Sequence, residues 1–433
     1  MILTYKEALE KIDSLLVFGS HPGLDRIKKL LDLTGNPQDK LKYVHVAGTN
    51  GKGSVSNMTA SILKNAGYKT GLFTSPHITG FGERMQINNE QITEADIISL
   101  TERLFPFVQS MNEKGEIITE FEFVTVMAFH YFAEQKCDVV VLETGLGGRL
   151  DATNVIKKPL CSVITSISLD HTAVLGDTLS KIAFEKCGII KENSKTVFAT
   201  QEDEVNEVVF TTACERKNVL YTPVNLSVLD SDISGTTVEY SGVKIKLPLL
   251  GQHQVKNMQL VLSVVSALKE SGLSISEENV KQGIESVIMP ARFELFSKEP
   301  LIIVDGAHNP GGCKALACAV DRYLSDKKIV CIMGMLKDKD SGTAIEYLRG
   351  KFCKVITTSV ANSPRRQTAE ELKSKAKDVF TDITACEDYK QAVDLALEIA
   401  KQEQNSAVLV CGSLYLASDI RVYLSEILNK EHL

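Results

Sequence analysis

The chain has 433 residues, long enough for two or three domains, because a single hydrophobic core stops growing well short of that length. Its net charge of −7 excludes general binding to nucleic acid or to an anionic membrane surface, so any phosphate chemistry has to be local. The ten cysteines stand singly with no C-x-x-C pair, as reduced core residues of a cytoplasmic protein do, and no apolar run approaches the ~18 residues that span a bilayer.

The β-branched run at 43–47 predicts a buried strand, and an amphipathic helix is expected from about Val55. Between them lies Gly48-Thr49-Asn50-Gly51-Lys52-Gly53-Ser54. Glycines let backbone N–H groups approach phosphate oxygens, the helix start adds positive potential, Lys52 reaches the β- and γ-phosphates, and the Ser54 hydroxyl can serve Mg²⁺. The spacing departs from the usual phosphate loop, since two residues separate Gly48 from Gly51 and Gly53 intervenes between the lysine and the hydroxyl. ATP is the expected ligand.

Further strands are expected at 70–74, 139–143 and 162–167, with helices between them, which predicts a parallel sheet covered on both faces. The stretch 121–135 is apolar nearly all round and reads as a core helix. Open α/β sheets bind ligands beyond the carboxyl ends of their strands, and three candidate metal ligands fall there: Ser75, Glu143 and His171. For Ser75 the plain alternative is a hydroxyl turn locked by Pro76; for Glu143 it is a loop salt bridge. His171 is an unusual partner for Mg²⁺. Lys186 lies near a helix end among apolar residues; taken alone it is a solvated lysine, whereas a partly buried one has a depressed pKa and a nucleophilic neutral amine.

Alternating stretches at 238–240 and 243–247, joined at Ser241-Gly242, predict a small antiparallel insert. Helices are expected over 253–271, where Asn257 can present its amide to a base or ribose, and over 276–286. After an extended stretch at 289–294 a second α/β alternation begins, with strands at 301–305, 329–333, 354–358 and 407–411. The fold class is therefore α/β, with a boundary that gives domains 1–296 and 297–433, the second a smaller doubly wound domain. In it Asp305-Gly306-Ala307-His308-Asn309-Pro310 closes a strand and opens a helix whose N–H groups can meet an anion.

The phosphate loop, Thr74-Ser75-Pro76-His77, Gly145-Leu146-Gly147-Gly148-Arg149-Leu150-Asp151-Ala152-Thr153-Asn154, Glu185-Lys186-Cys187-Gly188-Ile189-Ile190-Lys191 and the Asp305 motif occur in the order of one family. The chain resembles folylpolyglutamate synthase, including its bifunctional dihydrofolate synthase form, within the Mur ligase superfamily, over nearly its whole length. The resemblance implies a central P-loop ATPase domain and a Rossmann-like C-terminal domain that closes over the site. It implies that Ser75, Glu143 and His171 hold two Mg²⁺ ions, that Lys186 is N-carboxylated to a carbamate ligand, and that Asn257, Arg292 and Asp305 contact ATP with His308 near the phosphates. Pro22, Gly23, Leu24, Asp25, Thr119, Leu150, Asp151 and Ala152 would line the pterin pocket. The implied substrates are L-glutamate with tetrahydrofolate or dihydropteroate, and the family implies a monomer. Two departures stand out: Ala291 and Cys187 replace the family's usual glycine and alanine, and Ala291 is expected to stiffen a hinge.

On this reading the substrate carboxylate attacks the γ-phosphate to give an acyl phosphate, which the glutamate amine displaces, with Lys52, Arg292 and Mg²⁺ neutralising the transferring group. The alternatives are a Mur-type ligase adding an amino acid to a cell-wall nucleotide precursor, a P-loop ATPase that works as a switch or motor, and a catalytically silent homologue that only binds folates.

Overall fold

The computed structural model describes residues 3–19, 21–361 and 365–428. By their contacts the residues form two compact units. The first holds the chain up to Ile167 together with Thr178–Asn225 and Asn257–Ser286; the second holds Ser168–Asp177, Leu226–Lys256 and the chain from Val287 onward.

Among the described residues, the first unit is built on eight strands: β1 (Tyr43–Ala47), β2 (Thr70–Phe73), β3 (Met85–Ile87), β4 (Glu90–Gln91), β5 (Val139–Glu143), β6 (Cys161–Ile164), β7 (Lys195–Phe198) and β8 (Val219–Tyr221). They lie in the order β4-β3-β2-β5-β1-β6-β7-β8. The strands from β2 to β8 in that order run parallel, as the buried, β-branched runs predict. An antiparallel pair, β3 and β4, extends the edge at β2. Chain order reverses around β1, which sits between β5 and β6, so a crevice opens where the chain leaves β1.

One face of this sheet is covered by the Glu120–Glu134 helix, buried from Glu122 to Phe132 as its nearly all-round apolar sequence requires. Phe123, Phe129 and Phe132 are fully buried in it, and Phe129 meets Tyr43 of β1 edge to face at 5.9 Å. Ile12, Ile27, Leu30, Leu104 and Val108, from the Tyr5–Asp13, Asp25–Thr34 and Glu94–Glu113 helices, complete that core.

The second unit contains the expected hairpin, β10 (Gly235–Tyr240) with β11 (Val243–Leu247), and a third antiparallel strand, β9 (Ser227–Asp232). β9 is largely exposed, and its polar sequence gave no alternation to read. A second sheet has the order β12-β13-β17-β14-β15-β16. It comprises β12 (Glu294–Lys298), β13 (Leu301–Val304), β14 (Lys328–Met333), β15 (Lys354–Thr357), β16 (Ile383–Ala385) and β17 (Ser406–Cys411). Only β12 is antiparallel to its neighbour, and it straddles position 296.

Ala291, which stands where the resemblance implies a glycine, has φ = +55° and is fully buried. An alanine in the left-handed region carries a steric penalty that a β-branched residue would raise further. We expect Ala291→Val to cost about 1–3 kcal/mol and Ala291→Gly to stay within about 1 kcal/mol of the parent, because lost strain offsets lost burial. Urea unfolding of the two variants checks both values.

Candidate functional site

In the first unit the phosphate loop follows β1 directly. Gly51 is the N-cap of the Lys52–Asn65 helix at φ = +86°, a conformation that favours glycine, and a Cβ there would come within 2.6 Å of the Asn257 amide oxygen. The loop is tied to the chain beyond β6: the Thr49 N–H donates to the Ser166 carbonyl (2.8 Å), and the Thr165 hydroxyl donates to the Asn50 carbonyl (2.8 Å). Lys52 folds back, its Nζ donating to the Gly48 (3.1 Å) and Thr49 (3.2 Å) carbonyls. Ser54 is buried in the first turn, behind Gly53.

Lys186 is not a solvated helix lysine. It is 4% exposed near the end of the Leu179–Cys187 helix, and its Nζ donates to the Gly48 carbonyl at 2.7 Å. The same helix is gripped by the glycine loop after β5, where the Arg149 N–H donates to the Glu185 carbonyl (2.7 Å) and the Arg149 guanidinium pairs with the Glu185 carboxylate (2.8 Å).

Glu143 is the last residue of β5 and is 4% exposed. The register that sets Phe73 opposite Leu142 puts Ser75, two residues beyond β2, at the adjacent strand end. Thr144 follows Glu143, and its hydroxyl is buried with no hydrogen-bond partner. A carboxylate, a hydroxyl and an orphaned hydroxyl are hard oxygen donors that suit Mg²⁺, which keeps waters and substrate phosphates in its shell instead of taking an all-protein cage. Among the described residues no group of three or more His, Cys, Asp or Glu side chains is placed to hold a metal ion.

Around the expected pterin pocket the structure draws separate motifs together. Thr119 caps the Glu120–Glu134 helix in a reciprocal box with Glu122. The Glu122 carboxylate also pairs at 3.1 Å with Arg26, whose Nη2 donates to the His21 carbonyl, so the segment holding Pro22, Gly23, Leu24 and Asp25 is anchored to the Thr119 cap. Phe121 lies against Phe73 (5.9 Å) and against Gly145, where a Cβ would come within 2.5 Å of its ring. Asp151 is buried and holds its own loop, accepting from the Leu146 N–H (2.8 Å) and the Thr153 N–H (3.0 Å), beside Leu150 and the buried Ala152. Burial pushes the Asp151 carboxyl up, against these hydrogen bonds. The sequence reading missed the pairing of Arg26 with Glu122 and that of Arg84 with Glu120, because no spacing rule links an arginine to a helix cap 96 or 36 positions away.

The second unit gathers the remaining candidates. Asp305 is buried just beyond β13 and accepts from the Phe293 N–H and the Ala307 N–H, both at 2.7 Å. Burial raises its pKa, with the two N–H groups and Arg292 opposing. His308 is lowered to about 4, first by burial and then by Lys339. Its Nδ1 donates to the Gly306 carbonyl (2.8 Å), so Nε2 carries no proton. His171 groups with this unit and not with Ser75 and Glu143. Its Nε2 lies 3.2 Å from the Lys339 Nζ, which donates to Asp170 at 2.8 Å, while the Asn309 amide donates to the other Asp170 oxygen at 3.0 Å. Burial disfavours the Asp170 charge, but Lys339, His171 and His308 outweigh it and hold that carboxyl well below the usual range. Lys339 was not singled out in the sequence.

Comparison with known proteins agrees with this layout. The Mur ligase middle domain matches residues 46–265, and the Mur ligase glutamate ligase domain matches residues 291–414. The dihydrofolate synthase/folylpolyglutamate synthase of Bacillus subtilis is 36% identical over 97% of this chain and 99% of its own. The folylpolyglutamate synthase of Mycobacterium tuberculosis, solved with ADP and AMPPCP, superposes with a TM-score of 0.88 at 31% identity, covering 96% of this chain and 98% of its own. The Escherichia coli protein FolC, solved with DHPP and ADP, gives 0.84 at 30% identity, covering 99% and 98%.

A phosphate loop at the switch point of a parallel sheet, followed by a glutamate-ligase domain, defines an ATP-dependent ligase of the Mur class. Within that class the chain belongs to the folylpolyglutamate synthase/dihydrofolate synthase family.

Two neutral histidines, His45 fully buried and His308 partly so, predict an acid-labile fold. His45, in the middle of β1 and bonded through Nε2 to the Thr153 hydroxyl (2.8 Å), is lowered to about 3 by burial and then by Lys191; His308 is lowered to about 4. Unfolding restores both to near 6.5, so below that pH the unfolded chain binds protons that the folded chain refuses, and stability falls as pH falls. Each histidine withdraws about 2 kcal/mol between pH 6.5 and 5. Urea midpoints measured across that range should fall steadily, and His45→Gln should flatten the slope.

Proposed function

We propose that the protein joins L-glutamate to tetrahydrofolate and its shorter polyglutamates, and to dihydropteroate to make dihydrofolate, with ATP cleaved to ADP and phosphate. One observation carries the reading: Lys186, buried and bonded to the Gly48 carbonyl, builds a second lysine into the phosphate loop. A switch or motor ATPase has no use for it, whereas a ligase that activates a carboxylate does. The match to relatives named for folate chemistry favours this branch over the cell-wall ligases. Candidate catalytic positions that hold competent side chains argue against a silent homologue.

ATP takes the loop at Gly48, Thr49, Asn50, Gly51, Lys52, Gly53 and Ser54. Lys52 leaves the two loop carbonyls for the β- and γ-phosphates, exchanging neutral acceptors for charged ones. Asn257, against Gly51, serves the nucleotide, as do Arg292 and Asp305. Ser75, Glu143, His171 and Lys186 as its carbamate would hold Mg²⁺ at two sites. A carbamate nitrogen keeps one N–H, so Lys186 can retain its bond to Gly48 when carboxylated. Bound Mg²⁺ supplies positive charge that offsets the phosphates.

The folate carboxylate attacks the γ-phosphate, and Lys52 and Arg292 stabilise the charge that spreads over the transferring group. The glutamate amine then attacks the acyl phosphate and displaces phosphate. His308 is uncharged at neutral pH, so it acts near the phosphates as a hydrogen-bonding group and not as a cation. The pterin lies against Pro22, Gly23, Leu24, Asp25, Thr119 and the Leu150, Asp151 and Ala152 loop, with Phe121 as the aromatic wall. Because water destroys an acyl phosphate, the ATPase and pterin-binding domain, 1–296, and the Rossmann-like domain, 297–433, close before chemistry. The enzyme works as a monomer in the cytoplasm, in line with free thiols at all ten cysteines.

Phosphate release with ATP, Mg²⁺ and L-glutamate, compared for dihydropteroate and tetrahydrofolate with product masses, tests the reading. Release with both establishes the bifunctional enzyme, release with tetrahydrofolate alone restricts it to polyglutamylation, and silence with both refutes it. Lys186→Ala should lower turnover on the order of 100-fold while the fold is retained, as losses around a metal site do. Parent-like activity in that variant would sink the carbamate.

A further inference from the structure

The reaction scheme makes no use of Arg84, although three segments of the first unit converge on it. Arg84 ends the short helix Phe81–Arg84, just before β3. Its Nη1 donates to the Glu120 carboxylate at 2.6 Å, with the side chains 13% and 11% exposed. Its Nε donates to His77 Nδ1 at 3.1 Å, and its carbonyl accepts from the Thr74 N–H at 3.2 Å. The guanidinium also lies 5.5 Å from the centre of the Phe81 ring. One residue thus holds the 74–77 loop twice, through backbone and side chain, and fastens it to the first residue of the helix that Thr119 caps.

The other carboxylate of that helical turn, Glu122, does the same for the Pro22–Asp25 segment through Arg26. The first turn of the Glu120–Glu134 helix is therefore a two-armed clamp, with each carboxylate holding an arginine from a different segment. An arginine suits the Arg84 position because its planar fork donates in two directions at once, to Glu120 and to His77; an ammonium cannot span both. A bridge that served folding alone would not need to end on both sides of the expected pocket, at Thr119 and at the loop bearing Ser75.

We propose that Arg84 is a positioning residue that fixes the Ser75 loop against the Thr119 cap and so sets the width of the folate pocket, acting through Glu120 and His77. The inference rests on the folate-ligase reading. It assigns to Arg84 affinity for the pteridine substrate and not for the nucleotide free of Mg²⁺, since Ser75 on the same loop is an expected Mg²⁺ ligand.

Binding of dihydropteroate and of ATP is measured by titration calorimetry on the full-length parent, Arg84→Lys, Glu120→Gln and the double variant, each with its melting temperature. We expect Arg84→Lys to weaken dihydropteroate about tenfold while ATP affinity, measured without Mg²⁺, stays within about twofold. We expect Glu120→Gln to reproduce the effect, and the double variant to be no weaker than the worse single one, since the two residues act through one bridge. Equal weakening of dihydropteroate and ATP in step with the melting temperature would make Arg84 merely structural and overturn the inference. Unchanged dihydropteroate affinity, or losses that multiply in the double variant, would overturn it as well. A parent protein that binds ATP but neither dihydropteroate nor tetrahydrofolate would refute the functional reading itself, whereas a parent that binds ATP and dihydropteroate, with Arg84→Lys unaffected, refutes only the role of Arg84.

Discussion

The contact on which the rest of the first unit depends is a buried ammonium group against a main-chain carbonyl: Lys186 Nζ on Gly48 O. A charge at 4% exposure is costly unless it is paired. The surrounding architecture makes the arrangement possible. The Leu179–Cys187 helix is fixed by the glycine loop after β5, and the phosphate loop by Thr165 and Ser166 after β6. Three strand ends therefore converge on one short glycine stretch, which is what a parallel sheet offers at a switch point and a meander does not.

The two units handle charge differently around their candidate residues. In the first, carboxylates and arginines meet as fixed pairs, Arg26 with Glu122, Arg84 with Glu120 and Arg149 with Glu185, and these pairs are architectural. In the second, Asp170, Lys339, His171 and Asn309 share one network, and the partly buried histidine beside it, His308, is uncharged.

Much of this was legible in the sequence, and the boundary of legibility has a physical basis. Buried parallel strands announce themselves through unbroken β-branched runs, so β1, β5, β6, β13, β14, β15 and β17 were expected close to where they lie. The strands that escaped, β3, β4, β7, β8, β9, β12 and β16, are short, exposed or at a sheet edge, and such strands leave little mark on composition. At the site, residues in glycine-rich loops at strand ends were readable because the backbone constraint and the chemistry coincide there. The arginines were not: Arg26 and Arg84 find partners about 96 and 36 positions away, respectively, and only the folded chain reveals such pairings. His171 stood in sequence as the third of three strand-end ligands, and only the folded chain reveals Lys339 at 3.2 Å from its Nε2.

The short stretch Ser168–Asp177 belongs by its contacts with residues that follow Val287, although the chain on either side of it belongs to the first unit. Its Asp170 finds Lys339 and Asn309 only after well over a hundred further residues have been made. During synthesis on the ribosome, then, this stretch must wait as a loop without its partners while the sheet around it closes. The same threading means that neither unit can be cut out as one continuous fragment, so gene fusions and truncations in this protein divide a folding unit wherever they fall between Ile167 and Val287.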